Sequence, residues 1–96
     1  MQEASLDGGV DVQVGEPFKV QVRAEGATGR LWEFKTPDTI TAVETVTEPQ
    51  SGFGGRPTRW HVFRCEAAGE YLIKLRLHRP WESSGEDHVV RVVCRP

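Results

Sequence analysis

The sequence lacks most of what would commit it to chemistry. Its three histidines, at 61, 78 and 88, share no metal-ligand spacing with one another or with the cysteines, and neither C-x-x-C nor H-E-x-x-H occurs. No metal or other cofactor is therefore expected. The two cysteines, Cys65 and Cys94, are too few for the disulfide framework of tiny secreted domains. They read either as two core thiols or as one bridge. Charge of a single sign is missing too: twelve Lys plus Arg face fourteen Asp plus Glu, a net charge of −2 without blocks. This disfavours nucleic acid and anionic membrane as partners. The apolar runs stop at three or four residues, far short of the ~20 needed to span a bilayer. The first ten residues, MQEASLDGGV, hold no basic stretch followed by an apolar one. The expectation is a soluble chain of unassigned compartment, periplasmic or secreted if an export signal has been removed.

Nucleophiles and acid-base pairs read poorly as well. Cys65 falls on the inward face of an expected strand, where thiols are usually inert. Glu86-Asp87-His88 crowds acid and base together, but adjacent residues of a strand face opposite sides, so the run reads as a solvated strand entrance. GFGGRP falls short of G-x-G-x-x-G because position 57 is proline, and no helix follows. No catalytic residue is expected.

What is present is period-2 alternation, while helical spacing never persists across two turns. Val10, Val12 and Val14 form one apolar face, and Phe18, Val20, Val22 and Ala24 the next. RLWEF puts Trp32 and Phe34 on one side of a short strand that KTPD ends. ITAVETVT (40–47) is rich in β-branched residues, and RWHVFRC turns His61, Phe63 and Cys65 inward because Arg64 belongs outside. Tyr71, Ile73, Leu75 and Leu77 make the clearest strand, and HVVRVVC makes the last. Gly69-Glu70-Tyr71 fits a tyrosine corner. The 96 residues predict a single domain, 1–96 with 1–8 as a flexible N-terminal segment. Its class is all-β, an immunoglobulin-like β-sandwich of about seven antiparallel strands.

If successive strands reverse direction, the longer connections share one end: 25–30 (EGATGR), 48–58 (EPQSGFGGRPT) and 79–87 (RPWESSGED). Each has a bland reading, with Trp81 capping the sandwich and glycines permitting a tight hairpin. Together they make a composite surface with two aromatics, Phe53 and Trp81, among Arg56, Arg79 and Glu82. Such a surface suits another protein.

Thr28-Gly29-x-x-Trp32, Gly52-x-Gly54-Gly55 and Arg79-Pro80-Trp81, in that order, resemble the three signature loops of the chagasin-type inhibitors of papain-like cysteine proteases. The resemblance implies an immunoglobulin-like sandwich whose loops, BC, DE and FG by immunoglobulin lettering, form a three-part wedge in a protease cleft. Carried over by position, Ala27, Thr28 and Gly29 would lie nearest the enzyme's thiolate. Gly52, Phe53, Gly54 and Gly55 would run beside the unprimed subsites. Arg79, Pro80 and Trp81 would pack on the primed side. The first loop departs from the family's Asn-Pro-Thr-Thr-Gly, reading Glu25-Gly26-Ala27-Thr28-Gly29. The expected function is reversible inhibition by a monomer, the partner being a papain-like cysteine protease. The alternative is a non-inhibitory adhesion or ligand-binding module on the same fold.

Overall fold

Alternating burial builds every layer of this chain. The computed structural model describes residues 1–23, 29–47 and 58–96 together with the backbone of residue 48. Its eight strands are β1 (Gln2–Ala4), β2 (Gly9–Gln13), β3 (Pro17–Arg23), β4 (Leu31–Lys35), β5 (Ile40–Glu48), β6 (Thr58–Cys65), β7 (Gly69–His78) and β8 (Gly85–Arg95). They form two four-stranded sheets, β1-β3-β6-β5 and β2-β8-β7-β4, packed as a sandwich. One sheet sends in Phe18, Val20, Val22, Phe63 and Ile40; the other answers with Val12, Ile73, Leu75, Val90 and Val92. Phe63 meets Phe18 and Phe34 with ring centroids 5.8 and 5.6 Å apart.

The fold class is the expected one, with three corrections. Residues 1–8 are not simply a flexible segment, because Gln2–Ala4 form β1 and bury Ala4 against the core. Nor are all pairs antiparallel: β1 lies parallel to β3, and β2 parallel to β8. The chain reverses at each connection, but strands two or six places apart in sequence then run the same way, and these are the parallel neighbours. Val14 leaves the expected strand face, lies past the end of β2 and is exposed. Ala24 lies outside the described residues.

Cys65 and Cys94 form a disulfide that crosses from β6 to β8 and so ties one sheet to the other. The tyrosine corner stands beside it: the Tyr71 hydroxyl is 3.1 and 3.0 Å from the carbonyl oxygens of Ala67 and Ala68. Gly69 makes room, since its φ is +146° and a Cβ there would come within 2.9 Å of that hydroxyl oxygen. His61 is buried between Phe34 and Phe63, with Nδ1 3.1 Å from the Thr45 hydroxyl.

Candidate functional site

Strand register delivers the three long connections to one end. In the first sheet Thr58 pairs with both Arg23 and Glu48, so one row carries stems of the loops across 24–28 and 49–57. In the second sheet His78 pairs with Leu31 and Gly85, the strand ends on either side of the third loop and just after the first. The two rows are joined across the sandwich, because Trp32 Nε1–H donates to the Arg23 carbonyl at 2.8 Å.

The third loop opens with a turn in which Glu82 N–H donates to the Arg79 carbonyl at 3.0 Å. Pro80 occupies the second turn position, where its fixed φ is favourable, and Trp81 follows at the third. One further contact holds the loop to its sheet and another braces it internally. Arg76 Nη2 donates to the Ser83 carbonyl at 2.7 Å, and Arg79 pairs with Glu82 at 3.7 Å. The indole is 71% exposed, yet it is not free of the body.

Its edge abuts Gly29. A Cβ on that residue would come within 2.9 Å of Trp81 Cη2, and its φ of +77° is left-handed. Glycine at this position is thus required twice, by the backbone and by the indole edge beside it. Of the residues expected to make the site, the structure brings together Gly29, Arg79, Pro80 and Trp81. Ala27, Thr28, Gly52, Phe53, Gly54 and Gly55 lie outside the described residues.

A charged cluster below these loops was not anticipated. Glu86 Oε2 is 3.2 Å from Arg30 Nη2 and 3.6 Å from Arg23 Nη2, while Oε1 is 3.1 Å from His88 Nε2. His88 Nδ1 in turn is 2.7 Å from Asp7, whose other oxygen accepts the Val89 N–H at 3.1 Å. Hydrogen bonding to Asp7, then to Glu86, raises the His88 pKa against the opposing effect of burial. The same contacts lower the two carboxylates: Glu86 through His88 first and then the nearby arginines, Asp7 through His88 and the Val89 amide. Alternation carried the signal, since Glu86 and His88, two apart, share the face of Val90, Val92 and Cys94.

The fold has close counterparts among solved structures. A cysteine protease inhibitor from Entamoeba histolytica, EhICP2, superposes with a TM-score of 0.82 at 21% identity, covering 98% of this chain and 95% of that one. Amebosin gives 0.72 at 16% identity, covering 98% and 97%. PbICP-C, solved in complex with falcipain-2, gives 0.67 at 17% identity, covering 99% and 91%. No curated protein matches in sequence. The family described as chagasin family peptidase inhibitor I42 matches residues 11–93. That match runs from β2 to β8 and takes in all three loops, so the chain belongs to the chagasin family of peptidase inhibitors, a family of inhibitors and not of enzymes.

Proposed function

We propose that this domain inhibits papain-like cysteine proteases by seating the loops at residues 25–30, 48–58 and 79–87 in the active-site cleft. Ala27 to Gly29 cover the catalytic thiolate and imidazole, Gly52 to Gly55 run beside the unprimed subsites, and Arg79 to Trp81 pack on the primed side. The reading rests above all on one observation: Trp81, largely exposed, lies on Gly29 and so joins the first and third loops into one edge. A large apolar side chain held on a turn without being buried suits a hot spot. That PbICP-C was solved with falcipain-2 supports a protease as the partner.

No bond is cut in this mechanism. The first loop occludes the nucleophile without presenting a correctly oriented scissile carbonyl, so inhibition is reversible. Gly26 stands where the family has proline, and ordering the loop on binding then costs an additional ~0.4 to 1 kcal/mol.

The test is a titration of active papain and of a cathepsin L-like enzyme with the purified domain, following hydrolysis of a small fluorogenic peptide. Reversible inhibition at nanomolar to low micromolar concentration is expected. Full activity of both enzymes at ~100 μM folded domain would remove the proposal and leave an adhesion or ligand-binding module.

A further inference from the structure

The cluster around Glu86 has a geometry that ion pairs scattered on a surface lack. Arg23 closes β3 just before the first loop, and Arg30 follows Gly29 at that loop's other end. Both guanidinium groups reach the same carboxylate oxygen. Glu86 itself stands at the second position of β8, where the third loop re-enters its sheet. Its other oxygen faces His88, which Asp7 anchors from the β1–β2 turn and which lies against Trp32, ring centroids 5.9 Å apart. Trp32 then holds the Arg23 carbonyl. One side chain thus ties both stems of the first loop to the base of the third.

We infer that Glu86 is a positioning residue for inhibition: by drawing Arg23 and Arg30 together it keeps Gly29 against the edge of Trp81 and holds the protease-binding edge in its binding arrangement before the enzyme arrives. This rests on the reading of the three loops as that edge. Single exposed ion pairs contribute little, but two that converge on one loop's ends act on the fraction of molecules ready to bind. That fraction multiplies the association rate. Once the complex has formed, the enzyme itself holds the loops, so dissociation depends on Glu86 much less.

Glu86→Gln keeps the shape and removes the charge. Removing a carboxylate also changes long-range steering, so Asp11→Asn is the control: Asp11 pairs with Arg95 at 2.6 Å near the opposite end of the sandwich. Stopped-flow measurement with papain should show association slowed about fivefold by Glu86→Gln, with dissociation unchanged, and near-normal association for Asp11→Asn. Unchanged association of Glu86→Gln, or equal slowing of both variants, overturns the inference. A second readout needs no protease. In the free protein a Gly29 α-hydrogen points at the edge of the Trp81 ring, and in Glu86→Gln its resonance should lose its ring-current shift while the melting temperature stays within about 2 °C. A Gly29 resonance that does not move overturns the inference even if the wild-type domain inhibits. A wild-type domain that inhibits nothing removes the proposed function instead, whatever Gly29 does.

Discussion

At the scale of single residues, Trp81 and Gly29 separate binding from stability. Because the indole is mostly exposed, Trp81→Ala should leave unfolding nearly unchanged while weakening inhibition by about 2 kcal/mol or more. Gly29→Ala works differently: the new methyl displaces the indole, and an L-residue at φ +77° adds about 1 kcal/mol of strain. It should therefore lower both stability and inhibition. Equal inhibition by wild type and a folded Trp81→Ala variant would count against the proposed contact. The histidines impose opposite pH dependences on folding. Burial first, and then the charge of Arg59, lowers the His61 pKa below its ordinary 6.5. The neutral form is favoured, so its contribution is complete above 6.5 and is lost as pH falls from there through the lower folded value. His88 is raised by Asp7 and Glu86, so its contribution is complete below 6.5 and is lost as pH rises through the higher folded value. In melting curves at pH 5, 6.5 and 8, His88→Gln should leave stability rising with pH across this range. His61→Leu should leave it falling; two rising profiles would contradict the His88 assignment, and two falling ones the His61 assignment.

At the scale of elements, β1 is the strand that pattern reading misses. It is three residues long with one inward residue, Ala4, so it has no alternation to detect. What holds it is pairing with β3 from Gln2↔Phe18 to Ala4↔Val20, preceding a turn in which Asp7 has φ +63° and Gly8 N–H donates to the Ser5 carbonyl. The Asp7-Gly8 pair was a legible turn signal, and a turn implies chain on both sides of it. Ala4→Asp should destabilise the fold by about 1 to 3 kcal/mol, whereas Gln2→Asp on the exposed side should stay within about 0.5 kcal/mol. Denaturant titration distinguishes them, and equal midpoints would mean that β1 contributes nothing. By contrast β7 was readable almost residue by residue, because Ile73, Leu75 and Leu77 alternate with Leu72, Lys74 and Arg76 on the outer face of a long strand. So was Pro80, whose ring dictates its place in the turn. Arg23 and Arg30 were not legible as partners of Glu86, since they meet it from 63 and 56 positions away, Arg23 from the opposite sheet, and only the fold closes those distances.

The whole molecule divides its tasks between its ends. Stem pairing and the Trp81 contact place the loops at one end, while the disulfide and the tyrosine corner stand toward the other, where the Gly15 N–H also donates to the Cys65 carbonyl. The sequence left two thiols or one bridge open because register across two sheets decides whether Cys65 and Cys94 meet, and local pattern contains no register between sheets. The bridge spans 29 positions, and closing a loop of that length in the unfolded chain corresponds to about 3.5 kcal/mol of stabilisation. For a domain of this size that is about 15 °C or more in melting temperature. A Cys65→Ala/Cys94→Ala variant should therefore melt well below the wild type, with some of the loss due to packing removed from the core. Below its melting transition, however, its inhibition constant should match that of wild type, because neither cysteine belongs to the loop edge. A variant that stays folded but inhibits markedly less well would show that the staple also shapes the distant loops, and the two ends would then have to be treated as one mechanical unit.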